Sequence, residues 1–372
     1  MFSLSKNTSG YLGGVVSKKG GFSPFLFSLK QAISQRLYEV CEVFLILFIM
    51  KKIEIVLRKN ISDVELIAAA GYCPVECSFG NKSVVDELEM DHHGEKSHLE
   101  SVAIRAYRDH FGKRADDPRI VVNHIDADCI FAIASLAGLL PHPESQYAAS
   151  LPVFKQKVWK QDLLPLAETI ATIDTDPIGR DIIAMPFGSV LITWNALFGF
   201  NVDDELGALA AIQGWRQLTT AAVAVKPYLD AAEASEKARC EAALADLNER
   251  GERIGEVVII NGSRVFGFSE WYQRNLAGAT DEKAGWDNPV VISLVEGLNN
   301  LTFGCPNKNV AEAMFGKGGL MNVFTKLNEL YALEVGNGFG GREGVGGSPR
   351  GMKMSEEDLR KAASVVNEMI SK

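Results

Sequence analysis

The sequence is poor in cysteine, in long apolar runs and in surplus positive charge, and each shortage removes a class of function. Six cysteines in 372 residues (Cys41, Cys73, Cys77, Cys129, Cys240 and Cys305) do not make a disulfide framework, so a reduced, cytoplasmic protein is expected. Cys73 and Cys77 form C-x3-C, but no second pair follows at structural-zinc spacing, which favours buried or idle thiols over zinc. The apolar stretch Phe44–Met50 is seven residues long. A membrane span needs roughly 20, and the early apolar core and small-residue cleavage site of a secretory signal are missing; no membrane partner is expected. Thirty-eight basic against 47 acidic side chains leave a net charge of −9, which argues against coating long duplex nucleic acid. A small anionic substrate stays open, because a bound metal supplies positive charge locally.

What is present is globular. Hydrophobic residues make up 47%, charged residues 23% and aromatics 9%, enough to bury the cores of two ordinary domains. Residues 1–49 read differently from the rest: Ser, Gly, Asn and Lys follow no period, and Met50 is succeeded at once by Lys-Lys-Ile-Glu-Ile-Val-Leu, a natural opening strand. The expectation is that 1–49 form an extension, disordered or not translated.

From Lys51, strand-like and helix-like stretches alternate, the pattern of an α/β domain with a mainly parallel sheet. Residues 53–57 read as a strand, and 63–70 as a helix capped by Ser62. The stretch 83–90 is strand-like, 99–111 helical, 119–122 a short buried strand, and 130–140 an apolar helix stopped by Pro141. A further strand-like stretch covers 168–173. Between about 205 and 255, Ala, Glu, Lys, Arg and Leu dominate, as in a long solvent-edged helix joining two domains. A second α/β region follows from Val257, with a hairpin around Glu296-Gly-Leu-Asn-Asn300 and helices near 319–331 and 355–370.

Five of the six histidines fall between 92 and 124, and three of them belong to two aspartate-containing clusters. Asp91-His92-His93-Gly94 is the first cluster. The second is His124-Ile125-Asp126-Ala127-Asp128, after the strand ending at Val122. If extended, His124, Asp126 and Asp128 share one face, a rim that like-charge repulsion disfavours unless a cation joins it. Imidazole with carboxylate oxygens suits Mn, Fe, Zn or Mg. A third acidic element, Asp174-Thr175-Asp176, also shares a face if extended, and three such elements at strand ends mark the active edge of an open α/β sheet. His98 and His110 read as surface residues, and His142, between two prolines, as a turn residue. Eight glycines punctuate residues 336–351, with Arg342 and Arg350 between them. G-x-G-x-x-G occurs there, but no helix opens on it and no further strands follow, so a dinucleotide fold is rejected. A loop that admits an anion to its amides, flanked by two phosphate-binding arginines, fits better; a flexible surface loop is the bland alternative.

These residues resemble the DHH phosphoesterase superfamily. Asp91-His92-His93 matches the motif that names it, His124-Ile-Asp-Ala-Asp128 resembles its first motif, and Asp174-Thr-Asp176 its later Thr-Asp-Thr element. The stretch ending in Gly346-Gly-Ser-Pro-Arg-Gly351 is similar to the glycine-rich motif of the companion DHHA1 substrate domain. The order of the first two motifs is reversed relative to the family, Cys129 stands where a small residue is usual, and the family's bridging aspartate has no match before Asp91, which leaves Asp86 or Asp174 to replace it. The resemblance implies a DHH-like catalytic domain over 50–205, a helical linker over 206–254 and a DHHA1-like domain over 255–372. It implies two Mn²⁺ ions, with Mg²⁺ or Co²⁺ as substitutes, held by Asp91, His92, His124, Asp126, Asp128 and Asp174. His93 and Arg342 would be catalytic, and Gly340, Gly341, Arg342, Gly346, Gly347 and Arg350 would hold the substrate. The expected reaction is hydrolysis of a phosphoester in a small nucleotide or short oligonucleotide. Pyrophosphatase-like chemistry and an inactive metal- or nucleotide-binding protein are the alternatives, and a homodimer is left open.

Overall fold

A computed structural model describes residues 53–79, 82–149, 151, 153–175, 181–199, 204–263, 290–333, 338–349 and 352–370. The extension expected over 1–49, together with Asp176 and Arg350, lies outside the described residues.

Ile120, Val121 and Val122 are fully buried, as in a strand covered on both faces. They belong to β5 (Arg119–Val122), the centre of a three-stranded parallel sheet flanked by β1 (Glu54–Leu57) and β2 (Cys73–Pro74). β3 (Cys77–Phe79) and β4 (Lys82–Val84) form a small antiparallel ribbon. The helices of this part are α1 (Ile61–Ala69), α2 (Val102–Arg108), α3 (Ala127–Leu136), α4 (Gln146–Ala149), α5 (Val153–Trp159), α6 (Leu164–Thr175), α7 (Gly188–Leu197), α8 (Glu205–Thr220) and α9 (Ala222–Arg250). Nine of the ten residues of α3 are buried, as a helix apolar on all sides requires. Trp194 of α7 stacks on Trp215 of α8 at 4.6 Å between ring centroids, and Phe131 of α3 meets Trp215 edge-on.

A second core gathers residues from Val257 to Val366. Its mixed sheet runs β10 (Gly340–Gly341), β11 (Val345–Gly347), β9 (Leu301–Gly304), β8 (Val290–Val295), β7 (Val257–Ser263), β6 (Gly251–Ile254), with β7 and β8 parallel and the other pairs antiparallel. Helices α10 (Lys308–Phe315), α11 (Leu320–Leu330) and α12 (Glu356–Ile370) accompany it. The expected hairpin is there: Gly297 and Asn299 take positive φ in the turn between β8 and β9, the conformation that Gly and Asn tolerate best. Helix α9 packs against α7 and, near its end, against β6 and β7. The fold is therefore α/β, with a parallel sheet in the first part and a separate sheet in the second. Among the described residues no helix is long and apolar enough to cross a membrane, and the five described cysteines are free.

Three local expectations are corrected. The strand-like stretch 168–173 is part of α6, because Leu166, Ala167, Ile170 and Ala171 bury one helical face; the apolar repeat there has the three-to-four-residue period of a helix. Of the strand-like 83–90 only the start pairs in β4. Asp86 then makes an Asx turn, accepting from the Leu88 amide at 2.9 Å, and Glu89 enters the left-handed region. The helix expected over 99–111 is trimmed to α2, whose cap is Ser101.

Candidate metal centre

β5 delivers the second histidine–aspartate cluster, but not by extended alternation. After Val122 the backbone leaves the strand, and Asp126 caps α3, its carboxylate accepting from the Cys129 amide at 2.9 Å. Asp128 lies in the first helical turn. The three side chains still face one region, because a cap residue and the turn after it stand beside the strand end. His124 Nε2 is 3.3 Å from Asp126 Oδ2, and its Nδ1 faces Asn123 Oδ1, which directs the Nε2 lone pair of the neutral ring into the cluster.

The organising residue is Glu76, which the sequence reading missed. It sits between β2 and β3, fully buried, with φ at 52°, a conformation that costs a non-glycine residue energy and concentrates at functional sites. Its amide donates to the Met90 carbonyl at 2.7 Å. Its Oε1 is 2.9 Å from His92 Nε2 and 3.7 Å from His93 Nδ1, and its Oε2 is 3.2 Å from His124 Nε2. The available signal was a lone acid in the otherwise apolar Cys73-Pro-Val-Glu-Cys77, just after a strand. Asp86, weighed as a replacement bridge, is instead paired with Arg114 at 2.6 Å.

His92 is buried and reaches Asp128 Oδ2 at 3.1 Å and Asp174 Oδ2 at 3.4 Å. Asp174 comes from the last turn of α6 rather than from a strand end. Asp128 Oδ1 is held by the Ser101 hydroxyl at 2.6 Å and the Ala103 amide at 3.0 Å, which turns Oδ2 toward His92. Asp91 stands behind the others: Oδ1 accepts from the His93 amide at 2.9 Å and lies 3.1 Å from His93 Nδ1. That contact keeps the proton of a neutral His93 on Nδ1 and presents Nε2 outward.

Five buried side-chain atoms here have no hydrogen-bond partner: both oxygens of Glu76, Asp91 Oδ2, His92 Nε2 and Asp128 Oδ2. His92 and Glu76 are close enough to bond, yet their groups are misaligned for it. Buried polar atoms without partners are costly, and carboxylate and imidazole donors crowded together fit a divalent cation. Three overlapping groups have ligand atoms within 4.8 Å of one another: Glu76, His92 and His93; Glu76, His124 and Asp126; His92, Asp128 and Asp174. The electrostatics agree. Burial opposes charge on both rings, but Asp128 and Glu76 outweigh it and raise His92 to about 10, while Asp126 and Glu76 raise His124 to about 11. Burial would lift Glu76, yet His124 and His92 hold it well below the usual carboxylate range. Burial and the neighbouring Asp128 lift Asp174 to about 6, against the pull of Arg342. Without metal the cluster balances its acids with protons on its histidines, and a cation would replace those protons.

Arg342, from the turn between β10 and β11, reaches this cluster. Its Nη2 donates to Asp174 Oδ2 at 3.0 Å and lies 3.5 Å from His93 Nε2. The neighbouring glycines are not an open cradle. Gly340 and Gly341 pair with Gly347 and Gly346, which pair in turn with Thr302 and Phe303. A Cβ on Gly346 would come within 2.4 Å of the Gly340 carbonyl and of the Phe324 ring, so close packing accounts for that glycine. Among the other histidines, His98 is exposed, and His142 is buried in a turn, stacked on Phe111 at 4.0 Å. Cys73 and Cys77 lie in separate apolar clusters.

No family model matches the chain, and no curated protein does. Among solved structures it is similar to a pGpG-specific phosphodiesterase, PggH from Vibrio cholerae, at 13% identity and a TM-score of 0.31, over 56% of this chain and 67% of that one. That TM-score is too low to indicate a shared topology, and nothing about this chain follows from it.

Proposed function

We propose that the chain is a metal-dependent phosphohydrolase that cleaves a phosphoester bond of a small nucleotide or short oligonucleotide. The observation that carries this is the set of unpartnered, buried carboxylate and imidazole atoms facing one another beside an arginine from the second core. Glu76, His124 and Asp126 would hold one ion, and His92, Asp128 and Asp174 a second, with Glu76 close to both His92 and His124. Mn²⁺ suits this thiolate-free set, as do Mg²⁺ and Co²⁺. Bound divalent ions lower the pKa of water and neutralise phosphate oxygens.

The remaining roles belong to the chain itself. Asp91 orients His93, whose Nε2 would contact the phosphate or protonate the leaving oxygen. Arg342 would hold a phosphate oxygen through its planar fork, exchanging its contact with Asp174 for the substrate. In this reading the first core, which takes in α8, carries the metals, α9 links, and the second core, from β6 onward, supplies the substrate contacts. A net charge of −9 favours compact anions held at one point over long duplexes that need a cationic track.

Hydrolysis of bis-p-nitrophenyl phosphate with Mn²⁺, against the same reaction in EDTA, tests the proposal. Release of nitrophenol that requires Mn²⁺ and is lost in Asp126→Ala is expected. Two bound Mn²⁺ ions with no hydrolysis of this ester, dinucleotides, short RNA or pyrophosphate would refute the enzymatic reading. Absence of Mn²⁺ binding would refute the centre itself.

A further inference from the structure

The Asp91–His93 segment has no regular structure of its own apart from the 3-10 turn that follows at Gly94–Lys96, yet it must present His92 to within ångströms of Glu76 and Asp128. The side chain that fixes it is Arg105 on α2. Its Nε donates to the Glu100 carbonyl, Nη1 to the Glu89 carbonyl and Nη2 to the Asp91 carbonyl, all at 2.8 Å. Among the described residues this guanidinium makes no ion pair, so its planar set of donors is committed to backbone. One residue along, the Met90 carbonyl accepts from the amide of Glu76, so the clamped segment also steadies the strained backbone of the central carboxylate. The start of the same helix holds Asp128, through the Ser101 hydroxyl and the Ala103 amide.

We infer that Arg105 and Ser101 are positioning residues: through them α2 acts as a single jig that sets Asp91, His92, Glu76 and Asp128 to the spacing of the metal centre. This rests on the proposed metal site and deepens it. Neither residue touches substrate or metal. Arginine is needed because three carbonyls surround a flat group, whereas the ammonium of lysine is a compact point donor that cannot span them.

The test titrates Mn²⁺ into the full chain by electron paramagnetic resonance, with melting in EDTA recorded alongside. The variants are Arg105→Lys, Ser101→Ala and, as a surface control, Arg119→Lys, whose guanidinium pairs with Asp117 at the far end of β5. Outer-shell partners of metal ligands typically contribute 10–100-fold in affinity. Arg105→Lys and Ser101→Ala are therefore expected to weaken Mn²⁺ binding by about tenfold or more and to change the shape of the bound-Mn²⁺ signal, while metal-free melting moves by only a few degrees. Arg119→Lys should leave binding and signal unchanged. Wild-type Mn²⁺ affinity in both folded variants would overturn the inference. So would a collapse of metal-free melting that matches the loss of binding, since that assigns the two residues to stability alone. If wild-type protein binds no Mn²⁺, the metal-site reading fails first, and this experiment shows it in its opening titration.

Discussion

Replacing Glu76 by glutamine removes one charge and almost no volume. In the metal-free protein its buried oxygens lie 2.9 Å from His92 and 3.2 Å from His124. Breaking a buried ion pair costs about 3–5 kcal/mol when the partner stays charged. Asp128 and Asp126 still face the two imidazoles, so neither is left without a carboxylate, and the penalty falls to that of unsatisfied polar groups, about 1–3 kcal/mol. At roughly 2–4 °C per kcal/mol for a unit of this size, metal-free Tm drops by roughly 2–12 °C. The loaded protein loses more, because Glu76 belongs to two of the three ligand groups. Metal retained after dialysis should fall by at least one ion per chain, and kcat on bis-p-nitrophenyl phosphate by about a thousandfold or more, equivalent to about 4 kcal/mol of barrier. Elemental analysis, differential scanning fluorimetry in EDTA and the nitrophenol assay read the three quantities. A glutamine variant with full metal content and the wild-type rate would refute the assignment of Glu76 as the shared ligand.

Removing Asp126 should abolish Mn²⁺ stoichiometry and activity together, and near neutral pH the metal-free form should also lose stability, because protonated His124 loses the carboxylate that holds its proton; full metal content in Asp126→Ala would remove it from the ligand set. His92 at about 10 and His124 at about 11 stand above an unfolded value near 6.5. Their contribution to metal-free stability is therefore complete below about pH 6.5 and is lost as pH rises toward those folded values, so the rise in Tm produced by Mn²⁺ should grow between about pH 6 and 8.5; an increment constant with pH contradicts the proton–metal exchange. Arg342→Ala should lower kcat/KM by roughly ten- to a hundredfold with Mn²⁺ affinity little changed, since a charge-assisted hydrogen bond to phosphate contributes on the order of 1.5–3 kcal/mol. Lysine should restore this only in part, and unaltered kinetics in the alanine variant would take the hairpin out of the site. Gly346→Ala places a methyl group against a carbonyl that cannot rotate away. It should cost about 1–3 kcal/mol of stability without moving metal affinity, and an unshifted Tm would show that the hairpin yields.

Much of the frame was readable because it rests on local chemistry. β5 is a bare Arg-Ile-Val-Val run, the Ala- and Glu-rich stretch between 205 and 250 is helical in α8 and α9, and Gly297 and Asn299 mark their turn. The histidine–carboxylate cluster is legible in part, since His92, His124, Asp126, Asp128 and Asp174 are crowded into motifs, and the fold brings them together. The route was read wrongly. Asp128 faces inward from a helical turn and Asp174 from a helix end, and both were placed by strand alternation. Glu76 is hard to single out because its place in the cluster comes from tertiary position alone: nothing local distinguishes it from a surface glutamate except the apolar residues around it. The glycines of β10 and β11 misled for the opposite reason, because close strand packing and anion approach both select glycine.

The contact between Arg342 and Asp174 joins residues 168 apart in sequence. Closing a loop of that length costs, in the Gaussian limit, about 2.5 kcal/mol more than closing one of ten residues, and a single ion pair whose side chains are still about a quarter exposed, at about 0–1 kcal/mol, does not offset it. The pair therefore cannot draw the two cores together. It forms after they have assembled along α9 and reports that assembly as complete. A protein in which the arginine reaches the acidic cluster only then would expose its centre, during synthesis and refolding, with the protons on His92 and His124 as the cluster's own counter-charge. The face of the cluster that Arg342 covers would stay open until the second core arrives.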